Sequence, residues 1–303
     1  MRLAITGSTG FIGTALAAAA EAKGHEVVAF VRPRTTPTTG ETIRWDPSAG
    51  TFDRDDVQRV GHVDSIIHLA GAGIADRRWT PERRREILTS RVASTTLLAQ
   101  VAVAFDRAPQ RVVSGSAIGW YGSRGDEELD ESSASGEGYL AQVCREWEDA
   151  TAALRDAGIV TSLARTGIVI DPAGGALRQQ LPLFRFGLGG KLGSGRQWIS
   201  PISLHDEVRA LLYLAEHDLD GAVNLTGPAP LRNRDFTQQL AKHLHRPALA
   251  AVPRLALHGV LGAELADEAI LASQRVLPRR LVAVGFQFDH PTFADILSAV
   301  LPR

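Results

Sequence analysis

Hydrophobic and polar positions follow two different periods along the first half of the chain. Short apolar runs at residues 2–6, 25–31 and 64–70 are bounded by glycine or polar residues, which predicts the buried strands of a parallel sheet. Between these runs, apolar residues recur every three or four positions, as at residues 13–23 and 81–101, which predicts amphipathic helices. The alternation of strands with helices indicates an α/β fold of the Rossmann type, with a doubly wound parallel sheet and helices on both faces.

The pattern becomes irregular in the second half of the chain. A single helix at residues 139–157 and a single strand at residues 159–170 end the regular part. Residues 171–201 contain seven glycines, which predicts a long loop of the kind that covers binding sites. We therefore predict two units, a Rossmann domain of residues 1–171 and 202–226 and a small C-terminal α/β substrate lobe of residues 172–201 and 227–303.

Amino-acid composition and net charge limit the kinds of molecule that the protein is expected to bind. The 303 residues are 44% apolar and 22% charged, as in ordinary globular proteins, and 33 basic against 34 acidic residues leave a formal charge of -1. Such a chain has no overall positive field, so we expect a small-molecule substrate and neither nucleic acid nor membrane as partner. The single cysteine and the absence of a basic-then-apolar leader favour a cytoplasmic location. The long helical segments at residues 81–105 and 138–157 leave a homodimer open.

Three glycines lie between the first predicted strand and the first predicted helix, at Gly7, Gly10 and Gly13. In this setting the first glycine takes the turn, the second lets the backbone approach a pyrophosphate, and the third lets helix and strand pack closely. The amides at the helix N-terminus then face the anion. An ordinary tight turn is the alternative. The context favours a dinucleotide site formed by Gly7, Ser8, Thr9, Gly10, Phe11, Ile12 and Gly13.

The residue after the second strand indicates which dinucleotide binds. An acidic residue there would bind both ribose hydroxyls and repel a 2′-phosphate, whereas this chain has Arg32, with Arg34 close by. A guanidinium forms charge-assisted hydrogen bonds with a phosphate, so NADP(H) is favoured over NAD(H). The alternative is that Arg32 is a solvated residue at the end of a strand.

Several segments resemble a known family. Residues 6–13 are similar to the N-terminal fingerprint of the extended short-chain dehydrogenase/reductase superfamily, and residues 68–71 to its fourth-strand motif. Further segments resemble the NAD-dependent epimerase/dehydratase-like subgroup of unassigned substrate and its characteristic C-terminal domain: residues 45–47, 71–75, 77–79, 90–92, 119–122, 165–169, 193–198, 274–278 and 285–286. The resemblance implies a Rossmann domain that binds NADP(H), with further cofactor contacts from Leu69, Ala70, Gly71, Ser114, Arg165 and Thr166. It implies no known reaction.

The same resemblance suggests catalytic residues. In the superfamily a Ser, a Tyr and a Lys four residues after the Tyr share the proton work, and Ser116 and Tyr139 match the first two. Val143 stands at the Lys position, although a phenol with a pKa of about 10 needs a nearby cation to ionise at neutral pH. Tyr121 is a second candidate for proton transfer. Two functions therefore stay open: an oxidoreductase or epimerase-like enzyme acting on a small carbonyl, hydroxyl or nucleotide-sugar-like substrate, and a non-catalytic NADP(H) sensor or interaction protein.

Other side chains have a structural and a functional interpretation. Cys144 is expected to be a small buried hydrophobe. Arg165 binds an anionic substrate or forms a structural ion pair. His205 and Asp206 are expected to begin a helix, and no metal site is indicated.

Overall fold

A computed structural model describes residues 1–33, 40–248 and 250–302 of the chain. Arg34, which the sequence places close to Arg32, lies outside the described residues. The strands of the described part are β1 (Arg2–Thr6), β2 (Glu26–Val31), β3 (Glu41–Asp46), β4 (Thr51–Phe52), β5 (Ser65–His68), β6 (Arg111–Ala117), β7 (Glu128–Leu129), β8 (Val160–Thr166), β9 (Ile168–Asp171), β10 (Gly190–Leu192), β11 (Trp198–Ile199), β12 (Pro201–Ser203), β13 (Gly221–Leu225), β14 (Leu231–Arg232), β15 (Ala250–Val252) and β16 (Arg275–Val276).

The helices surround these strands, with a 3₁₀ turn at Ile118–Tyr121 and a π-helical turn at Ala266–Ile270. They are α1 (Phe11–Ala22), α2 (Arg54–Val60), α3 (Pro81–Ala102), α4 (Tyr139–Asp149), α5 (Ala152–Asp156), α6 (Gly175–Arg185), α7 (Leu204–Glu216), α8 (Asn233–His243), α9 (Arg254–Leu261), α10 (Ala263–Leu265), α11 (Arg279–Ala283) and α12 (Phe293–Val300). No helix among the described residues is long and apolar enough to span a bilayer.

Eight strands form the central sheet in the order β13-β8-β6-β5-β1-β2-β3-β4. All neighbours pair in parallel except β3 and β4, which form an antiparallel hairpin at one edge. The chain runs outward from β1 in one direction and from β5 in the other. The order therefore reverses between β1 and β5, and ligands of such sheets bind at the carboxyl ends of the strands beside this point.

Each central strand is buried on both faces, as the apolar runs predict. In β1, Leu3 and Ile5 pack into one core with α1 and α7, whereas Ala4 faces a second core with α2, α3 and α5. Ile67 and Ile66 divide in the same way in β5. The predicted Rossmann-type fold is confirmed.

A third core lies outside the central sheet. It joins residues of α6, α8 and α12 with Ile170 of β9, and the rings of Phe236 and Phe293 stack there with centroids 4.3 Å apart. This core is built from the segments assigned to the small lobe, together with Ile170. The exact domain boundaries stay a prediction.

The structure corrects three predicted elements. The helix at residues 139–157 is broken into α4 and α5, where the Thr151 hydroxyl donates to the Glu148 carbonyl at 2.6 Å and competes with the helical ladder. The strand at residues 159–170 is interrupted at Gly167, whose missing Cβ would lie 2.5 Å from the Ser200 carbonyl oxygen. The loop at residues 171–201 contains α6, which buries Leu177, Leu181 and Phe184 at helical spacing.

Candidate functional site

A cavity of about 1260 Å³ opens at the carboxyl edge of the central sheet. One side is formed by the turn between β1 and α1, the loop after β5 and Arg91 of α3. The 3₁₀ turn, α4, the β8–β9 junction, α6, α8 and residues 268–274 also contribute to the lining. The cavity thus lies beside the point where the strand order reverses, between the sheet and the C-terminal part of the chain.

The turn between β1 and α1 has the geometry that its glycines predict. Gly7 has a φ of +69°, and a Cβ there would lie 3.0 Å from the Leu69 backbone. A Cβ on Gly13 would lie 2.1 Å from the Gly7 carbonyl oxygen, so helix and turn meet too closely for any side chain. Gly10 caps α1 without a side-chain acceptor, and the first turn holds no acidic residue. Thr9, Gly10 and Phe11 line the cavity, so the amides at this helix end fit a diphosphate.

The ends of β1 and β5 are tied together by a buried polar cluster around Thr6. The Thr6 hydroxyl oxygen accepts from the amides of Leu69 and Ala70 at 3.1 Å each and contacts His68 Nδ1 at 2.7 Å. Because both lone pairs of the Thr6 oxygen are used, the Thr6 hydroxyl donates its proton to His68 Nδ1. The single N–H proton of the neutral imidazole is then on Nε2, 3.1 Å from Thr95 Oγ1. Burial lowers the pKa of His68 to about 3, so the ring is neutral. Leu69, Ala70 and Gly71 are thereby held beside the glycine turn.

Arg32 follows β2, and its side chain is exposed. It lies close enough to Asp46 to contribute to a lowered pKa there, after the larger effects of the Ser48 hydroxyl and the backbone amides. Position 32 holds an arginine and not the acidic residue that would repel a 2′-phosphate.

Ser116 and Arg165 belong to a buried ion-pair network rather than to the cavity wall. Arg165 forms two bonds of 2.8 Å with the Glu148 carboxylate, which also accepts the Ser116 hydroxyl at 2.6 Å. The Arg165 guanidinium stacks 3.9 Å from the centre of the Trp120 ring. Of the two interpretations of Arg165, this geometry favours the structural ion pair. Ser114 is also fully buried, with its hydroxyl on the Gly115 carbonyl.

Tyr121 extends the same network. Its ring is 0% exposed, its hydroxyl donates to Asn224 Oδ1 at 2.7 Å, and it accepts from Arg165 at 3.1 Å. Burial raises the pKa of Tyr121 to about 12, which disfavours the phenolate needed for proton transfer. In this conformation Tyr121 is a packing residue outside the cavity wall.

Tyr139 is also directed away from the cavity. Its hydroxyl donates to the Arg84 carbonyl, its ring packs edge-on against Trp79, and burial raises its pKa. Val143, one turn later on α4, lines the cavity where the superfamily has a lysine. The predicted catalytic roles of Ser116, Tyr121 and Tyr139 stay predictions, and no hydroxyl of the three lies on the cavity wall in this conformation.

The N-terminus of α4 is capped from the C-terminal part of the chain. Glu268 accepts from the amides of Tyr139 at 3.0 Å and Leu140 at 2.8 Å, and it also lines the cavity. A carboxylate at this position satisfies two unpaired amides and complements the helix dipole. No sequence pattern predicts this contact, because the two partners are about 130 residues apart.

Thr166 and Glu207 connect the cavity floor to α7. Thr166 lines the cavity and donates its hydroxyl to Glu207 Oε1 at 2.8 Å. Glu207 is fully buried, and its second oxygen has no partner among the described residues. Burial raises the pKa of Glu207 to about 8. At neutral pH the side chain is therefore mostly protonated.

Arg91 is a cavity residue to which the sequence assigned no role. It is 8% exposed, and its Nη1 donates to the carbonyls of Ala72 and Ile87 at 2.9 and 3.0 Å. Its guanidinium lies 5.0 Å from the centre of the Trp147 ring, and burial lowers its pKa. Cys144 of α4 is buried near Arg91. Burial raises the pKa of its thiol to about 11, in agreement with a hydrophobic role.

Potential metal ligands also meet away from this cavity, at His205, Asp206 and Asp289. Arg209 lies 2.9 Å from the Asp206 carboxylate and 3.1 Å from that of Asp289, so the acidic charge is compensated within the cluster. Asp206 also accepts the amides of Asp289 and His290. Through these bonds the cluster links α7 to the residues that precede α12.

The sheet order and the glycine turn define an SDR-like Rossmann fold of the NAD(P)-binding type. The chain belongs to the NAD dependent epimerase/dehydratase family, which matches residues 3–225. A domain family of unknown function, DUF1731, matches residues 252–300. The predicted family and its characteristic C-terminal domain are thereby confirmed.

Individual relatives cover nearly the whole chain. An epimerase family protein of Mycobacterium bovis is 42% identical over 302 residues, which are 99% of this chain and 98% of the relative. The structure of the human epimerase family protein SDR39U1, solved with NADPH, is 30% identical with a TM-score of 0.88 and covers 99% of both chains. A nucleoside-diphosphate sugar epimerase structure from Corynebacterium glutamicum is 33% identical with a TM-score of 0.79 and covers 99% of this chain and 58% of that one.

Proposed function

We propose that the protein binds NADP(H) in the cavity and acts there on a small second molecule, as an oxidoreductase or epimerase-like enzyme. The observation that carries the proposal is the N-terminus of α1, which has no side-chain cap and follows the turn of Gly7, Gly10 and Gly13, with Gly10 on the cavity wall. The human relative solved with NADPH supports the same cofactor. Bound NADP(H) would supply hydride transfer, while the α1 amides hold the diphosphate and Arg32 contacts the 2′-phosphate.

Cofactor selectivity tests this proposal directly. We expect NADPH to bind at least about tenfold more tightly than NADH, because a charge-assisted bond to the 2′-phosphate contributes about 1.5–3 kcal/mol. Arg32→Glu should remove or reverse the preference by repelling that phosphate. Arg85→Glu, at an exposed position of α3, is the matched control and should leave both affinities unchanged. Fluorescence titration of the purified protein with both coenzymes measures the effect, and failure of both to bind would refute the proposal.

A non-catalytic NADP(H) sensor or interaction protein is the second candidate. The engaged hydroxyls of Ser116, Tyr121 and Tyr139, and Val143 at the lysine position, favour it. Single-turnover assays separate the two candidates by following NADPH absorbance with carbonyl compounds and nucleotide sugars. Turnover with any of them supports the enzyme, whereas tight cofactor binding with none supports the sensor. Association of two copies through α3 and α4 stays a prediction, which light scattering on the eluting protein would measure.

A further inference from the structure

Two groups on the cavity wall have hydrogen-bond donors without a protein acceptor among the described residues, the guanidinium of Arg91 and the indole of Trp147. Arg91 uses Nη1 for the carbonyls of Ala72 and Ile87, and its Nε and Nη2 have no partner in the part of the chain that the structure describes. Trp147, under the guanidinium, also lines the cavity, and its buried indole N–H has no acceptor among the same residues. A buried donor without an acceptor, such as the Trp147 indole, is rare in native proteins and calls for a physical explanation.

A buried cation without an anion is costly, so its retention points to a bound acceptor. A guanidinium has five N–H groups, and three of those in Arg91 remain after the two carbonyl contacts. Desolvation of the charge is compensated only when an opposite charge or several acceptors reach it. No carboxylate contacts Arg91 among the described residues.

The acidic residues that line the cavity, Asp76 and Glu268, already have partners. Glu268 caps α4, and Asp76 forms a salt bridge of 3.3 Å with Arg83. Glu148, one residue beyond Trp147, holds Arg165 and the Ser116 hydroxyl. The missing acceptor therefore has to come from a molecule that enters the cavity.

We propose that Arg91 binds the carboxylate of the second molecule, so that the substrate or effector of this protein is an organic acid. This inference rests on the proposed function, because it takes the second molecule to share the cavity with NADP(H). A planar guanidinium fork matches a planar carboxylate with two parallel bonds. The neighbouring α4 residues Leu140, Val143 and Cys144 also line the cavity, and this apolar surface suits the hydrocarbon part of such an acid.

Matched probes test the charge requirement. Oxamate and 2-oxohexanoate carry a carboxylate beside a carbonyl, whereas oxamide has the shape of oxamate without the charge. Calorimetric titration of the NADPH-loaded protein should show binding of both acids and none of oxamide. The acids should bind with a Kd in the millimolar range or tighter, about what one desolvated charge pair provides.

Substitutions test the residue. Arg91→Met keeps the length of the side chain and removes its charge, and it should weaken binding of both acids by about 30-fold or more. Arg178→Met removes an exposed arginine that also lines the cavity and should change acid binding by less than about threefold. NADPH affinity should stay within about threefold in both variants. If Arg91→Met does not fold, Arg91→Lys keeps the charge without the fork, and acid binding should fall by about tenfold with unchanged circular dichroism.

Each outcome supports or overturns one statement. Binding of the acids to the wild type and to Arg178→Met, with loss in the Arg91 variants, supports the carboxylate site. No acid binding by the NADPH-loaded wild type up to about 20 mM overturns it and leaves the cofactor proposal intact. Loss of NADPH binding in the folded Arg91 variants assigns the guanidinium to the cofactor and also overturns it. Failure of the wild type to bind NADPH overturns the proposed function instead.

Discussion

The hydroxyl of Tyr121 joins two parts of the fold at the level of a single residue. It donates to Asn224 of β13 and accepts from Arg165 of β8, and both partners are buried. A phenol placed in this way satisfies two polar groups that would otherwise lack a partner. The residue therefore contributes to stability independently of any chemistry in the cavity.

Tyr121→Phe should destabilise the protein by about 1–3 kcal/mol, because Asn224 Oδ1 loses its donor in a buried position. Urea unfolding followed by circular dichroism measures this change. Tyr213→Phe is the matched control, since its hydroxyl makes only a long, exposed contact with the Val284 carbonyl, and it should cost less than about 0.5 kcal/mol. A Tyr121→Phe variant of unchanged stability that has lost turnover would show a catalytic role instead.

Residues differed in how far the sequence could define their roles. The glycines at positions 7, 10 and 13 are informative because their requirement is local, set by backbone angles and close approach within one turn. Arg91 lies in α3 and Arg165 near the end of β8. Only the tertiary structure distinguishes their roles. Arg165 meets Glu148 across the fold, whereas Arg91 meets no carboxylate among the described residues. Charge pairing over such distances leaves no periodic pattern in the sequence.

At the scale of elements, the turn before α1 depends on the absence of side chains. Gly13→Ala should weaken NADPH binding by about tenfold or more and destabilise the fold by about 1–3 kcal/mol, because the new Cβ would overlap the Gly7 carbonyl oxygen. Cofactor titration and thermal unfolding test both effects. Gly259→Ala, in α9 with open space around the glycine, is the control and should leave NADPH binding unchanged. Normal NADPH binding by Gly13→Ala would contradict this account of the turn.

Strands and helices were predictable where burial determines the pattern of apolar residues. Burial on both faces gives the continuous apolar run of a strand, and burial on one face gives the three- or four-residue spacing of a helix. The apolar runs of β1, β2 and β5 and the spacing in α1 and α3 correspond to strands and helices within a few residues. Prediction failed where a distant backbone decides the outcome, as at Gly167 against the Ser200 carbonyl. It also failed for α6, because the neighbouring glycines obscured three apolar residues at helical spacing.

At the scale of the whole molecule, His68 and Glu207 impose opposite pH dependences on stability. Burial lowers the pKa of His68 from 6.5 to about 3, so its contribution is lost as pH falls below 6.5. Burial raises the pKa of Glu207 from 4.5 to about 8, so the contribution of its proton is lost as pH rises from 4.5 to 8. The two slopes cancel between pH 4.5 and 6.5, and the Glu207 slope alone remains above that range.

We therefore expect the unfolding free energy to fall between about pH 6.5 and 8, by up to about 1.4 kcal/mol per pH unit. Glu207→Gln should remove this decline, because an amide cannot release the proton. Glu21→Gln, on the exposed surface of α1, is the control and should keep the wild-type slope. Urea unfolding at a series of pH values measures all three proteins, and equal slopes for wild type and Glu207→Gln would exclude the assignment.

The Glu268 cap on α4 constrains how the two matched families can be combined. The carboxylate comes from the segment that matches DUF1731, while the amides that it binds lie in the segment that matches the epimerase/dehydratase family. A hybrid that joined the first segment to an unrelated C-terminal domain would leave the start of α4 without its anion. Since α4 also carries Val143, Cys144 and Trp147 on the cavity wall, the shape of the cavity depends on both segments together.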